Sequence, residues 1–202
     1  MKLVCEKIGD LTEKKHVLFT SNCSTAIYLL LKSLNFKKKK IIVPVNICYD
    51  VIISIFASGN IPLIIDTNDN LGFSLNDLKK RLNSDKDIRV LIFPYLYGNS
   101  DNFYDVFKFC KKKNLIFIED IAGSFGGKIK KKYFGSFGDF TVGSFGKGKI
   151  IDMTGGGFIS TNNKEVFLKI CRNYKLLTKY RIKNKLIYVQ SNKFHEKILK
   201  TK

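Results

Sequence analysis

The chain has 202 residues, of which 45% are hydrophobic, and a formal net charge of +19 at pH 7. This length and apolar content are sufficient to bury the core of one domain, which excludes an intrinsically disordered chain. The sequence has no run of about 18 or more apolar residues, so it predicts no membrane-spanning helix.

Seven short apolar runs predict β-strands along the chain. Several of these runs are almost continuously apolar, which is typical of strands buried on both faces of a parallel sheet. They lie at His16–Phe19, Ile41–Val43, Leu63–Asp66, Val90–Phe93, Leu115–Glu119, Phe140–Gly143 and Phe158–Ser160.

Longer amphipathic runs between the strands predict helices, at Ser24–Leu34, Tyr49–Ser58, Leu75–Leu82, Phe103–Lys113 and Lys164–Leu177. Ser74 is the expected N-cap of the third helix. The alternation of strands and helices predicts an α/β fold, with a mostly parallel seven-stranded sheet and helices on both faces. No repeat or linker divides the chain, so we expect one domain, residues 1–177, followed by a basic tail, residues 178–202.

The positive charge includes three lysine runs, at Lys37–Lys40, Lys111–Lys113 and Lys130–Lys132. Such a surface can attract nucleic acid or anionic metabolites. Lysine is abundant throughout the chain, however, and these runs fall where helices end or loops begin, where lysine is favoured by the helix dipole and by solvation. We therefore interpret the runs as a solvated surface, with nucleic-acid binding as the alternative.

The cysteines are widely spread, without a CxxC pair, at Cys5, Cys23, Cys48, Cys110 and Cys171. This pattern favours neither a disulfide framework nor a zinc ribbon, and we expect no metal site. The first residues, 1–6, lack the apolar segment of a secretion signal. The sequence therefore predicts a protein of the reducing cytoplasm.

Polar residues follow the predicted strands at the points where α/β sheets bind ligands. The segment Thr20–Ala26 follows the first strand and opens a helix, so its amides and hydroxyls could hold a phosphate; alternatively, Ser24 or Thr25 is only a helix N-cap. Asp120 comes directly after the buried run Leu115–Glu119 and needs a partner there, unless it caps a helix.

A carboxylate on one strand, with a hydroxyl and a lysine after a later strand, suits a pyridoxal phosphate site. A lysine can form a Schiff base with the aldehyde of this cofactor, and a carboxylate such as Asp120 can keep its pyridine nitrogen protonated. Ser144 and nearby backbone amides can hold the phosphate. Two lysines, Lys147 and Lys149, are close enough in sequence to reach the same ring.

The order of these motifs resembles the DegT/StrS family of sugar aminotransferases, which are fold type I pyridoxal phosphate enzymes. The resemblance extends from about Glu6 to about Leu177 and rests on several short pieces in a shared order. These pieces are Ser21–Ile27, Ile42–Pro44, Gly59–Asp66, Tyr97–Gly98, Glu119–Ala122, Gly135–Asp139, Ser144–Lys149 and Gly155–Gly157.

The resemblance implies a role for each candidate site residue. Lys149, whose distance from Ser144 matches the family pattern better than that of Lys147, would carry pyridoxal 5'-phosphate as a Schiff base. Asp120 would pair with the pyridine nitrogen of the cofactor. The phosphate would be held by Ser24, Thr25 and Ser144. The strand Phe158–Ser160 would run against the direction of the others.

The implied reaction is transamination of a nucleotide-linked keto-sugar in sugar or polysaccharide biosynthesis, with an amino-acid donor such as glutamate. Lys149 would move the proton between the donor and the cofactor as general acid and base. The family also implies a homodimer whose active site lies at the subunit interface. No membrane partner is expected, and nucleic acid is the least favoured partner.

This sequence departs from the family pattern at three points. A glutamine near the cofactor hydroxyl is replaced by Gly123. The position of the aromatic residue that stacks on the ring falls near Cys48. This cysteine is expected to be a small buried hydrophobe, or alternatively a sulfur that packs on the ring. The chain is expected to lack the small C-terminal domain of the family, and His195 in the basic tail is expected to be exposed rather than catalytic.

The expected lack of this domain leaves a second interpretation open. The chain could be an inactive cofactor-domain fragment that acts at most as a binding or association module. A complementing C-terminal half on a second polypeptide could also complete the site. A basic nucleic-acid-binding domain is a third, less favoured interpretation, since no recognisable nucleic-acid motif is present.

Overall fold

The computed structural model describes residues 2–177, so the predicted basic tail, 178–202, and its His195 lie outside the described residues. The helices are α1 Lys2–Thr12, α2 Cys23–Ser33, α3 Tyr49–Ala57, α4 Leu75–Ser84, α5 Phe103–Lys112 and α6, residues 164–177. The strands are β1 His16–Thr20, β2 Lys40–Pro44, β3 Ile61–Ile65, β4 Ile88–Pro94, β5 Ile116–Asp120, β6 Lys128–Ile129, β7 Lys132–Tyr133, β8 Phe140–Ser144 and β9 Gly157–Thr161.

Seven of these strands form one sheet, in the order β1-β9-β8-β5-β4-β2-β3. Strand β9 pairs antiparallel with both of its neighbours, whereas the pairs among β8, β5, β4, β2 and β3 are parallel. The predicted mostly parallel seven-stranded sheet is confirmed, and so is the reversed direction of the strand predicted at Phe158–Ser160.

The sheet is covered on both faces, as its apolar strands predict. In β2, Ile42 packs in one layer with residues of α4 and α5, whereas its neighbours Ile41 and Val43 pack in the other with α2 and α3. Successive side chains of a strand point to opposite faces, so a strand apolar at every position must be buried on both sides. None of the helices within residues 2–177 is long and apolar enough to cross a membrane.

Two parts of the fold were not predicted. Helix α1 has apolar residues at helical spacing, Val4, Ile8 and Leu11, but Gly9 within it weakens the helix signal. The hairpin β6–β7 has strands of two residues each, too short for an alternating pattern to show. The N-cap prediction for α4 is confirmed, because the Ser74 side chain accepts a hydrogen bond from the amide of Asp77.

A buried carboxylate fixes the turn that precedes β8 to the end of β5. Glu119, which is fully buried, accepts hydrogen bonds from the amides of Gly135 and Phe137, both at 2.8 Å, and from the amide of Gly138. The Tyr95 hydroxyl donates to the same carboxylate at 2.7 Å. Burial, together with the carboxylate, raises the pKa of Tyr95, so this phenol stays a donor.

Replacing Glu119 by glutamine is expected to destabilise the fold strongly. Whichever side-chain oxygen becomes an amide nitrogen will face buried donors, and each unsatisfied buried group costs about 1–3 kcal/mol. We expect a loss of about 2–4 kcal/mol in the free energy of unfolding, measured by urea denaturation. Glu165→Gln, at an exposed carboxylate of α6, is the control and should change stability by less than about 0.5 kcal/mol. A Glu119→Gln variant as stable as the parent would contradict this role.

Candidate functional site

The candidate site residues lie at the carboxyl edge of the parallel strands. Ser144 ends β8 and pairs with Gly157 of β9, which in turn pairs with Thr20 at the end of β1. Asp120 ends β5 and pairs with Val142 of β8, two residues before Ser144. The sheet register therefore brings the carboxylate, the serine and the start of α2 to one edge.

Helix α2 starts immediately beyond this edge, and its N-cap differs from the expected one. The Oδ1 atom of Asn22 accepts a hydrogen bond from the amide of Thr25 at 2.7 Å, so Asn22, rather than Ser24 or Thr25, is the N-cap. The prediction of a cap at Ser24 or Thr25 is thus wrong, because both residues lie within the first turn of the helix. The Thr25 hydroxyl lies 3.1 Å from that of Ser21.

The first turn of α2 keeps backbone donors for a ligand. The amides of Cys23 and Ser24 come before the point at which helical hydrogen bonds begin, so they have no helical acceptor. Among the hydrogen bonds between residues 2–177, none uses either amide. Together with the positive end of the helix dipole, they form a site suited to a phosphate, next to the half-buried Ser24 and Thr25.

The glycine triplet holds this turn against the sheet. A Cβ atom on Gly157 would lie 2.4 Å from the carbonyl carbon of Asn22 and 2.6 Å from the amide nitrogen of Cys23. The amide of Gly156 donates to the carbonyl oxygen of Ser21 at 2.9 Å. Only glycine allows this approach of two backbones at position 157.

Gly157→Ala is expected to disturb both the fold and the start of α2. The added methyl group would meet backbone atoms, which cannot move aside as a side chain can. We expect a loss of about 1–3 kcal/mol in the free energy of unfolding, as in overpacked cores. We also expect weaker binding of pyridoxal phosphate, measured by fluorescence titration. Gly155→Ala is the matched control, since a Cβ there would have no atom within 4 Å. Equal stability and equal ligand binding in the two variants would show that the close backbone approach at Gly157 does not require glycine.

Asp120 is nearly buried, with 7% of its surface exposed. Its Oδ1 atom accepts a hydrogen bond from the amide of Ala122 at 2.9 Å, and the carboxylate makes no other hydrogen bond within residues 2–177. Burial raises the pKa of Asp120, while the Ala122 amide and the positive charge of Lys149 oppose that rise. The alternative of a helix cap is wrong, because residues 122–126 form turns rather than a helix.

Ser144 and the loop that follows it connect β8 to the glycine triplet. Ser144 is buried, and its hydroxyl accepts a hydrogen bond from the amide of Gly146 at 3.2 Å. The amide of Phe145 donates to the carbonyl oxygen of Gly156 at 2.9 Å. The hydroxyl of Ser144 keeps its own proton available, because among residues 2–177 it acts only as an acceptor.

The two candidate lysines have different surroundings. Lys149 is half-buried and lines an open cleft of about 600 Å³, whereas Lys147 is exposed. The charge of Lys149 lowers the pKa of Asp120 and opposes the rise that burial and Asp120 cause in the pKa of Cys23. The structure thus brings Lys149, rather than Lys147, into electrostatic reach of the carboxylate.

Other cleft residues differ from expectation or were not predicted. Cys48 is exposed at the cleft rather than a small buried hydrophobe, and Gly123 lies in the same lining. Asn46 and Asn99, which also line it, were missed by sequence reasoning. Asn46 could have been found from its place two residues beyond the end of β2, but asparagine is so common in loops that this position carries little signal.

The α/β fold with its mostly parallel seven-stranded sheet is shared by solved aminotransferase-family structures. The Escherichia coli GDP-4-keto-6-deoxy-D-mannose-3-dehydratase with bound hydrated PLP superposes with a TM-score of 0.75 at 24% identity, over 82% of this chain and 44% of that chain. The chain belongs to the DegT/DnrJ/EryC1/StrS aminotransferase family, whose model matches residues 4–191.

Several relatives are nucleotide-sugar enzymes by name. GDP-perosamine synthase of Escherichia coli O157:H7 is 30% identical over 168 residues, which are 81% of this chain and 45% of the relative. The UDP-4-amino-4,6-dideoxy-N-acetyl-beta-L-altrosamine transaminase of Campylobacter jejuni is 28% identical over 187 residues, or 92% of this chain and 47% of the relative. The chain therefore spans a little under half the length of these relatives.

Proposed function

We propose that this chain binds pyridoxal 5'-phosphate at the carboxyl edge of its sheet and serves as the cofactor domain of a sugar aminotransferase. The observation that carries the proposal is the meeting of Asp120 and Lys149 at one edge, within electrostatic reach of each other. The substrate would be a nucleotide-linked keto-sugar, and the amino donor an amino acid such as glutamate.

The residues at the edge fit the cofactor in charge and hydrogen bonding. Asp120 has an oxygen without a partner among residues 2–177 and can accept a hydrogen bond from a protonated pyridine nitrogen. The amides of Cys23 and Ser24 can hold the phosphate with the hydroxyls of Thr25 and Ser144. The raised pKa of Asp120 also fits, because an uncompensated buried carboxylate gains from a cationic partner.

Each residue then has a defined role in the reaction. When bound, pyridoxal phosphate supplies an electron sink for the carbanion formed from the amino donor. Lys149 would hold the cofactor through its amine and, as general acid and base, would move the proton at the donor Cα. Asp120 would keep the ring nitrogen protonated, which matters most when negative charge develops.

The substrate class is supported by the relatives' names and by the cleft. Both relatives act on, or make, sugars named with GDP or UDP. The cleft beside Lys149 is lined by Tyr97 and by the side-chain amide of Asn46, groups that can exchange hydrogen bonds with sugar hydroxyls, whereas the Asn99 side chain already bonds to Asn70 and Asp101.

The surroundings of the cleft support association with a second polypeptide, either another copy or a complementing half. Exposed apolar side chains cluster in the Lys149 loop and across the cleft, including Ile150 at 65%, Leu71 at 61% and Tyr97 at 98% exposure. Large apolar groups gathered around a cleft mark interaction sites. We place the protein in the cytoplasm, since all five cysteines are unpaired.

The alternatives receive less support from the structure. Several members of the lysine runs are engaged in ion pairs, Lys39 with Asp87 and Lys111 with Asp139, both at 2.6 Å. These pairs favour a solvated surface over a nucleic-acid site. An inactive binding module is the second candidate, and the turnover assay distinguishes it from an enzyme.

The test is a turnover assay with glutamate and a nucleotide keto-sugar. The chain is assayed by itself and with a polypeptide that supplies the remaining part of a family member. We expect nitrogen transfer from glutamate to the sugar in the second mixture and slow transfer by the chain alone, because closure over the substrate is needed for positioning and water exclusion. Cofactor binding without nitrogen transfer in either mixture would favour the inactive module, and loss of a sugar hydroxyl instead would indicate a dehydratase.

A further inference from the structure

The loop that carries Lys149 receives little support from packing. No residue from 146 to 155 is buried, and only Gly146 and Lys149 are even half-buried. A loop without buried side chains is normally mobile, yet a reacting amine must be held within a fraction of an ångström. Hydrogen bonds must therefore position Lys149.

The carboxylate of Asp152 provides these bonds on both sides of Lys149. Its Oδ2 atom accepts from the amide of Gly148 at 2.8 Å, and its Oδ1 atom accepts from the amide of Thr154 at 2.8 Å. These two amides lower the pKa of Asp152, although the side chain is exposed. Both oxygens of one carboxylate are thus engaged: one binds an amide directly before Lys149, and the other binds an amide five residues after it.

The backbone around this carboxylate is in conformations that need support. Gly148 has a φ angle of +76°, and Thr154 has one of +60°. A β-branched residue in the left-handed region is an uncommon conformation that persists only where surrounding contacts hold it. The amide of Thr154 is held by Asp152, and that of Met153 donates to the carbonyl oxygen of Phe145 at 2.9 Å.

We propose that Asp152 is a positioning residue that clamps the loop so that Lys149 presents its amine to the cofactor. The proposal rests on the proposed function, because it assigns the clamp to a cofactor-binding lysine. An aspartate suits this role because it offers two acceptors on a short side chain, and bonds to an ionised acceptor are stronger than neutral ones. Asparagine at this position would keep one acceptor, and alanine would keep none.

Two variants and a control test the clamp without the cofactor. We compare Asp152→Ala, Asp152→Asn and Asp87→Ala, whose carboxylate is exposed and pairs with Lys39 far from the loop. Hydrogen exchange at the amide of Gly148 is expected to be about tenfold faster in Asp152→Ala, since one charge-assisted bond is worth roughly that factor. The exchange rate in Asp152→Asn should lie between those of the parent and of Asp152→Ala. The rate in Asp87→Ala should match that of the parent.

The second measurement follows the lysine itself. Each protein is mixed with pyridoxal phosphate and treated with borohydride, and the labelled peptides are identified by mass spectrometry. We expect labelling of Lys149 to be about tenfold slower in Asp152→Ala, with the share on Lys147 rising, and partial recovery in Asp152→Asn. A residue needed only for global stability would not shift the label between two neighbouring lysines.

The outcomes separate this inference from the proposed function. Labelling of Lys149 in the parent that stays equally fast in Asp152→Ala would overturn the clamp and leave the cofactor site intact. Unchanged exchange at Gly148 would also overturn the clamp. No labelling of Lys149 in any protein, including the parent, would overturn the cofactor site and the role of Asp152 with it.

Discussion

Replacing Lys149 by arginine is expected to abolish covalent attachment of pyridoxal phosphate to the protein. A guanidinium keeps the positive charge near Asp120 but is never deprotonated, so it cannot bond to an aldehyde carbon. Without this residue to move the proton, turnover in a competent complex should fall by about 10²–10⁴-fold, the usual contribution of a general acid and base. Absorbance titration with the cofactor and the glutamate assay measure the two effects.

Lys147→Arg is the control for this experiment, because Lys147 is exposed and is not part of the cleft lining. It should bind the cofactor and turn over like the parent. A Lys149→Arg protein that retained covalent attachment, or a Lys147→Arg protein that lost it, would assign the reactive amine to the other lysine.

Asp120→Asn is expected to weaken cofactor binding and to stabilise the cofactor-free chain. The lost charge-assisted hydrogen bond is worth roughly 1.5–3 kcal/mol, or about 10–150-fold in affinity. Catalysis should fall further than binding, since the protonated ring matters most as the carbanion forms. Fluorescence titration and the glutamate assay separate these two losses.

The expected gain in stability of the cofactor-free Asp120→Asn variant follows from the raised pKa of Asp120. Between the usual value for aspartate, about 3.9, and the raised folded value, the unfolded chain has lost a proton that the folded chain keeps. Stability therefore falls as pH rises through this window. Asparagine does not titrate, so urea denaturation at neutral pH should show a more stable cofactor-free variant with a flatter pH profile. A less stable variant with unchanged cofactor affinity would show that Asp120 is structural.

The sheet could be predicted from the sequence because its strands are buried on both faces. A run such as Val90–Phe93 is apolar at every position. Few secondary-structure elements other than a strand buried on both faces require such a run. The first and last residues of the strands were predicted less accurately. Strand β3 begins at Ile61, two residues before the predicted start at Leu63. Pro62 lowers the strand signal, but within residues 2–177 β3 pairs only with β2, and proline is tolerated in edge strands.

The candidate site was predictable where one residue type is tied to one chemistry. A carboxylate after a buried strand and a lysine before a glycine triplet can be recognised in sequence, and the structure brings Asp120 and Lys149 to the same edge. The N-cap Asn22 and the exposure of Cys48 depend on how α2 and α3 meet the sheet. Such tertiary details leave no periodic pattern in the sequence.

The most direct test of the cofactor site is borohydride trapping on the unmodified chain, followed by peptide mapping. We expect one dominant site of pyridoxal phosphate attachment, at Lys149, and reduced labelling in Asp120→Asn. Attachment spread over the many exposed lysines, with Lys149 no more reactive than Lys147, would contradict it.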